Sequence, residues 1–154
     1  MDKIFTAVAI LQLVQAGRLH LTDPVEKLLI NYPNKEVASK VTVHHLLTHT
    51  GGTGDIFGTD FQAHRQELRT TSDYIRLYGA RSLAFEPGER FEYSNYGFIL
   101  LGAILERVSG EDCYTYVQKH IFDPAHMSST GFSPEHQIAP TMSVGYTRRP
   151  LYMV

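Results

Sequence analysis

The chain has 154 residues, enough for one domain with a substantial hydrophobic core and too few for two comfortable ones. Hydrophobic residues make up 43% and charged residues 19%, with a formal net charge of -2, which argues against a disordered chain and against electrostatic binding of nucleic acid. The expected partner is a small molecule or a peptide, and no apolar run approaches the roughly 20 residues of a membrane-spanning helix.

The chain opens with a helical pattern. Apolar residues recur at helical spacing from about Lys3 to Ala16, and Gly17 is a suitable stop just beyond the last turn. Because the pattern begins at residue 3, we expect the helix to belong to a longer parent sequence. The apolar stripe expected to face the core consists of Ile4, Phe5, Val8, Leu11 and Val14.

Two shorter helices are predicted next. Asp23-Pro24 is typical of an N-cap followed by proline at the first helical position, and this helix would run through Leu29. Thr42 can cap a further helix over residues 43–49, which the glycine-rich residues 50–54 must end.

The middle of the chain is predicted to be less regular. We expect a loop up to about Thr70, a helix from about Ser72 to Tyr78 and a turn at residues 86–88. Asn95 is then expected to cap the clearest amphipathic helix, which ends at Ser109-Gly110. The apolar side of that helix consists of Tyr96, Ile99, Leu100, Ala103, Ile104 and Val108.

A last helix is predicted from about Glu111 to Ile121, stopping at Asp123-Pro124. Residues from about 125 to 154 are turn-rich and lack periodicity, and no internal repeat is present. The sequence therefore predicts a single, mainly α domain over residues 1–154. The lone Cys113 cannot form an internal disulfide, and the N-terminus shows no secretory pattern, so neither fixes a compartment.

Three segments together form a pattern that is typical of catalytic motifs. Residues 3–7 read Lys-Ile-Phe-Thr-Ala, residues 46–52 read Leu-Leu-Thr-His-Thr-Gly-Gly, and residues 93–95 read Tyr-Ser-Asn. In order and spacing they resemble the serine β-lactamase-like family of class C β-lactamases, penicillin-binding proteins, D-aminopeptidases and esterases. That family has Ser-x-x-Lys-x-Phe-Thr, Leu-Leu-Thr-His-Thr-Ser-Gly and Tyr-x-Asn motifs, so Gly51 departs from it where the family usually has serine.

The resemblance places Lys3 on the lysine of the first motif, and the nucleophilic serine one position before Met1. No Lys-Thr-Gly or His-x-Gly sequence appears before Val154. The resemblance therefore implies a fragment. It would be the helical portion of the β-lactamase/transpeptidase-like α/β fold, with the sheet-forming segments largely absent.

The activity that the resemblance implies is hydrolysis of an amide or ester through an acyl-enzyme. A serine hydroxyl needs a base, and a lysine can serve only when burial or a neighbouring cation lowers its pKa. Lys3 would accept the serine proton, Tyr93 would relay protons to the leaving group, and Asn95 would orient the lysine and the substrate amide. No metal or organic cofactor is implied, and without its serine the chain itself is expected to be inactive. The substrate, a β-lactam, a D-amino-acid peptide or an ester, stays open.

The residues alone also allow plainer roles. A lysine near an N-terminus is usually solvated, a lone tyrosine usually packs, and Asn95 is expected to cap a helix whatever else it does. His45 and His49 have a metal-ligand spacing but no acidic third ligand, and His49 is expected to hydrogen-bond the backbone of the glycine-rich loop.

A different functional class also stays open. The chain could be a non-catalytic binding or assembly module, because helices that evolved to cover a sheet keep an apolar face. Such faces predict a homo-oligomer or an exchanged element.

Overall fold

The computed structural model describes residues 2–132. In this part of the chain the prediction of a mainly α structure is confirmed, since apart from an antiparallel bridge between Pro24 and Thr42 all regular elements are helical. The predicted turn-rich character of residues 133–154 lies outside the described residues. The helices are α1 (Asp2–Gln15), α2 (Val25–Leu28), α3 (Lys35–Lys40), α4 (Val43–Leu47), α5 (Thr59–His64), α6 (Thr71–Tyr78), α7 (Asn95–Ser109) and α8 (Cys113–Val117), followed by a π-helical turn (Gln118–Phe122).

Helix α7 is the centre of the core. It packs against α1, α4, α6 and α8, and its buried residues run around most of its circumference. Each fully buried leucine or isoleucine contributes about 1.5–3 kcal/mol relative to an exposed one, so this helix anchors the others. Its fully buried large side chains are Leu100, Leu101, Ile104 and Leu105.

Helix α1 buries a different face from the one predicted. Ala9, Ile10 and Leu13 face the core, whereas the side chains of Ile4, Val8 and Leu11 are exposed by 63%, 37% and 48%. Phe5 and Val14, also in the predicted stripe, pack partly against the core. The stripe was ambiguous because α1 is apolar on both sides, and periodicity does not say which of two apolar faces is covered.

The start of α4 agrees with the predicted Thr42 cap. Thr42 Oγ1 accepts from the backbone N–H of His45 at 3.3 Å, and the ring Nδ1 of His45 accepts from the N–H of Thr42 at 3.3 Å. The helix ends at Leu47, two residues before the predicted end, because His49 already has a left-handed backbone with φ +56°.

Several predicted boundaries are wrong. Pro24, not Asp23, is the N-cap of α2, and the Asp23 carboxylate instead accepts from the N–H of His20 at 2.8 Å and from Lys27 Nζ at 2.6 Å. The helices α3 and α5 were not predicted, α5 lying inside the expected loop. Both have six residues, too few to show a helical period, and α5 buries none of its side chains.

The later helices also begin at different residues from those expected. Ser94, not Asn95, caps α7, because its hydroxyl oxygen accepts from the N–H of Gly97 at 2.9 Å. Asp112 caps α8, and the helix predicted over 111–121 changes to a π-helical turn after Val117. The predicted stop of α7 is confirmed, with Gly110 in the left-handed conformation at φ +77°. No helix within residues 2–132 combines the length and apolarity needed to cross a bilayer.

Candidate active site

Lys3, Tyr93 and Asn95 meet at the N-terminal end of α7. Lys3 lies on the first turn of α1 and donates from Nζ to Asn95 Oδ1 at 2.7 Å, although 92 residues separate the two. The same Nζ lies 5.1 Å from the centroid of the Tyr93 ring, within range of a cation–π interaction. Lys3 and Asn95 are partly buried and Tyr93 is 53% exposed. The three side chains thus form one cluster that opens to solvent on the tyrosine side.

Asn95 is held from its other side by Asp55. One carboxylate oxygen, Oδ1, accepts from the backbone N–H of Asn95 at 2.8 Å, and Oδ2 accepts from the side-chain Nδ2 at 3.1 Å. Asp55 follows the glycine-rich loop after α4, and its Oδ1 also accepts from the N–H of Ile56 at 2.8 Å. A carboxylate at the first turn of a helix is favoured there by the helix dipole.

Tyr93 packs on His49. The two rings lie 4.5 Å apart between centroids with a 31° tilt, and the His49 ring also lies 5.0 Å from Phe98 and 5.7 Å from Phe91. Phe98 lies 5.6 Å from Lys3 Nζ as well. Tyr93 is therefore fixed between a lysine and a histidine while its outer edge stays in solvent.

His49 binds a different backbone segment from the one expected. Its Nδ1 accepts from the N–H of Ser94 at 3.1 Å, so the ring holds residues 93–95 rather than the glycine-rich loop. Accepting through Nδ1 requires the ring to be neutral with its proton on Nε2. Burial and the nearby Lys3 ammonium lower the pKa of His49 below its usual range, against a smaller opposing effect of Asp55.

Ser94 ties the cluster to the glycine-rich loop. It is buried, and its hydroxyl donates to the carbonyl of Gly54 and lies 3.2 Å from Thr53 Oγ1 while capping α7. The middle residue of the Tyr-Ser-Asn segment thus points away from the cluster of Lys3, Tyr93 and Asn95 and holds the loop in place.

Backbone hydrogen bonds join residues 49–52, which include His49, to residues 84–92, which precede Tyr93. The N–H groups of Ala84, Gly88 and Glu92 donate to the carbonyls of Gly52, Thr50 and His49, at 2.8, 2.8 and 2.9 Å. Gly52 has φ +65°, and a Cβ there would lie 2.3 Å from the carbonyl oxygen of Phe85, so only glycine allows this approach.

Sequence reasoning brought forward three of the residues at this site and missed two contacts. Asp55 was not considered, and the partner of His49 was misassigned. The available signal was weak. An aspartate after a run of glycines is most often a turn residue, and its contact with a residue 40 positions away leaves no local pattern.

The similarity to known proteins extends over nearly the whole chain. The sequence profile of the Beta-lactamase family matches residues 1–152. The chain belongs to the Beta-lactamase family. Among relatives of this family, the PbpX protein of Bacillus subtilis (strain 168) is 34% identical over 146 residues, which cover 94% of the chain and 34% of the relative. Protein flp of Staphylococcus aureus (strain MRSA252) is 33% identical over 149 residues, covering 94% of the chain and 29% of the relative.

Solved structures of the family agree with the fold. A penicillin-binding protein from Bacillus halodurans superimposes with a TM-score of 0.76 and 38% identity, over 90% of this chain and 44% of that one. A D-stereospecific amidohydrolase from Streptomyces sp. gives a TM-score of 0.71 and 33% identity, over 82% and 41%. The chain spans about a third of the length of the curated relatives, and it is the helical part of the Beta-lactamase fold.

Proposed function

We propose that these residues form the helical side of a serine hydrolase active site that cleaves amide or ester bonds through an acyl-enzyme. The observation that supports the proposal is the bond from Lys3 Nζ to Asn95 Oδ1, with the Tyr93 ring 5.1 Å from the same nitrogen. A serine nucleophile needs a positioned base, and the resemblance to the family motifs implies that a lysine, a tyrosine and an asparagine surround one serine oxygen.

Each side chain has a role that its position suits. Lys3 would accept the proton of a serine placed three positions before it, since residues at that spacing in a helix lie about one turn apart on the same face. Tyr93 relays protons at the leaving group, and its 53% exposure leaves it reachable by a substrate. Asn95 holds the lysine through Oδ1. The mechanism uses side chains and backbone groups alone and calls for no metal or cofactor.

The proposed substrate class is inferred from the structural relatives. The names of the structural relatives, a penicillin-binding protein and a D-stereospecific amidohydrolase, support a β-lactam or a D-amino-acid peptide as substrate, with an ester as the third candidate. In all three the scissile group is a carbonyl whose oxygen becomes an oxyanion, which backbone N–H groups of the nucleophile and of a C-terminal strand would stabilise.

The test compares three proteins. The first is the 154-residue chain, the second carries a serine immediately before Met1, and the third is a chimera flanked at both ends by segments of the Bacillus halodurans penicillin-binding protein. Nitrocefin, a p-nitrophenyl ester and a D-alanine p-nitroanilide are the substrates. We expect turnover from the chimera alone, because the first protein has no serine before Met1 and neither of the other two contains a Lys-Thr-Gly or His-x-Gly sequence after Asn95 for the strand that completes the oxyanion hole.

Two variants of the chimera test the roles. Lys3→Ala should lower kcat/KM by about 10²- to 10⁴-fold, the usual contribution of general acid–base catalysis. Lys35→Ala, at an exposed lysine of α3, is the matched control and should leave kcat/KM unchanged. A chimera that keeps its activity without Lys3 would refute the proposed role. Acylation of the 154-residue chain by a fluorophosphonate, mapped to any of its serines, would refute the inactivity of the isolated chain.

A second function is favoured by a separate observation. The exposed side chains Ile4, Val8 and Leu11 form an apolar strip along α1, opposite the face that packs on α7. As an isolated chain the protein would then act as an assembly module, self-associating through this strip. Sedimentation distinguishes the two states: association that Val8→Glu and Leu11→Lys abolish supports the module, and a monomer at all concentrations counts against it.

A further inference from the structure

Asp55 makes an unusual pair of contacts with Asn95. Its two carboxylate oxygens are each used once on the same residue, Oδ1 by the backbone N–H at 2.8 Å and Oδ2 by Nδ2 at 3.1 Å. Asp55 is partly buried, and the N–H of Ile56 holds Oδ1 in place at 2.8 Å. The carboxylate therefore accepts hydrogen bonds from the backbone and from the side chain of Asn95 at the same time.

This pairing decides which way the Asn95 amide points. An asparagine side chain has an accepting end and a donating end of nearly the same shape, and only its partners distinguish them. A carboxylate can only accept, so Nδ2 must face Asp55 and Oδ1 must face Lys3. The reversed amide would place an NH₂ group against the Lys3 ammonium and leave an oxygen against a carboxylate, two repulsive contacts in place of two hydrogen bonds.

We propose that Asp55 is a positioning residue that sets the orientation of the Asn95 amide and, through it, the place of the Lys3 ammonium. No contact joins Asp55 to Lys3 directly, and it acts through a chain of two hydrogen bonds, Asp55 Oδ2 to Asn95 Nδ2 and Asn95 Oδ1 to Lys3 Nζ. The catalytic meaning of this positioning rests on the proposed function, whereas the positioning itself does not.

A purely structural role makes a different prediction. Asp55 also accepts from the first N–H of α7, so any substitution can lower stability through the helix terminus alone. Such a role would leave the Asn95 amide and the Lys3 ammonium as they are in a folded variant. Asp55→Asn separates the two roles, since asparagine keeps the shape and one accepting oxygen but presents an NH₂ group to Asn95 Nδ2.

The measurement is NMR of the ¹⁵N-labelled 154-residue chain, following the Asn95 side-chain amide and the Lys3 ammonium. In Asp55→Asn we expect the Lys3 ammonium protons to exchange with water about tenfold faster or more, because a hydrogen bond to a charged group is lost. The Asn95 Nδ2 signals should move at the same time. Asp123→Asn is the matched control, because that exposed carboxylate accepts from Gln118 Nε2 at 2.6 Å and should leave both signals unchanged.

A second variant covers the case in which Asp55→Asn fails to fold. Asp55→Ser keeps an oxygen that can accept or donate, so it tolerates both amide orientations and should also speed Lys3 exchange. The wild-type chain gives a direct check without substitution. Asn95 Nδ2 protons that show no hydrogen bond to a carboxylate would overturn the inference, as would Lys3 exchange that is unchanged in a folded Asp55 variant.

The chimera separates this inference from the proposed function. There Asp55→Asn should lower kcat by up to about 10²-fold with a smaller change in KM, because misplacement of a catalytic group acts on the transition state. If the unsubstituted chimera is inactive while Lys3 exchange depends on Asp55, the proposed function fails and the positioning stands. If the chimera is active and Lys3 exchange ignores Asp55, the positioning fails and the proposed function stands.

Discussion

The two ends of α7 are held in different ways. At the N-terminal end, residues 93–95 are bound by side chains from far along the chain, among them Lys3, His49 and Asp55. At the C-terminal end the contacts are mostly local. The N–H of Gly110 donates to the carbonyl of Glu106 at 2.9 Å, and two distant side chains add to this, Arg18 on the carbonyl of Val108 and Thr71 Oγ1 on Glu106 Oε2 at 2.7 Å.

The C-terminal end of α7 only terminates the helix, whereas the N-terminal end also holds the candidate site. A left-handed glycine closes a helix with groups three or four residues away, so it needs nothing from the rest of the molecule. An end that carries a site must present particular side chains to particular partners, and residues from other elements supply them. Substitutions at the two ends should therefore differ in cost and in range.

The largest expected effect is that of Ser94→Ala. The substitution removes the cap of α7 and takes the Ser94 hydroxyl away from the half-buried Gly54 carbonyl and the buried Thr53 hydroxyl. We expect the free energy of unfolding to fall by about 2–3 kcal/mol, measured by urea denaturation. Ser109→Ala, at the other end, is the control and should cost under about 1 kcal/mol. Equal costs at the two serines would remove the distinction between the ends.

A smaller effect is expected for Gly110→Ala. Nothing lies within 4 Å of a Cβ there, so the cost is the left-handed backbone at φ +77° alone, about 1 kcal/mol of stability. Gly102→Ala is the matched control within α7, where a Cβ would make ordinary contacts at 3.6 and 3.9 Å. Helix propensity then favours alanine by up to about 1 kcal/mol. Thermal unfolding should show shifts of opposite sign, and shifts of the same sign would contradict the assignment.

The smallest effect is a pH dependence at the N-terminal end. Folded His49 must be neutral to accept from Ser94, and its pKa lies below the ordinary 6.5, so the unfolded chain binds this proton more readily. The contribution of His49 to stability is therefore full above about pH 6.5, declines as the pH falls toward the folded-state pKa, and is constant below it.

His49→Asn tests this contribution, because asparagine tolerates the left-handed backbone at this position. The stability difference between the wild type and the variant should shrink as the pH is lowered from 7 to 5. The pKa of His45 is also lowered by burial, and its titration remains in both proteins and cancels from the difference. Gly110→Ala changes no titratable group and should give a difference that does not follow pH in this way.

The fold was predicted best where it depends on local sequence patterns. The helical character, the Thr42 cap and the stop at Gly110 each depend on residues within one or two turns. The cap of α7 was misplaced by one residue because both Ser94 and Asn95 are good caps, and the choice is made by Asp55, which binds Asn95 instead. The six-residue helices α3 and α5 were missed for lack of a period.

The site was predicted in part. The resemblance of residues 3–7 and 93–95 to family motifs brought Lys3, Tyr93 and Asn95 forward, and their proximity in the structure supports the proposal without establishing a catalytic role. Composition and periodicity alone gave none of the three. Asp55 could not be found in this way, because its role depends on a carboxylate and an amide that meet only after α4 and α7 have packed together.

The backbone bonds of Ala84, Gly88 and Glu92 to the loop after α4 have a consequence for motion. The three bonds join residues that are 32, 38 and 43 positions apart and involve few buried side chains, so they should open together in one sub-global fluctuation rather than fray singly. Opening would carry His49 away from Ser94 and release Tyr93. The amide hydrogens of Ala84, Gly88 and Glu92 should therefore exchange with one common opening free energy, lower than that of the Leu100 and Leu101 amides in the middle of α7.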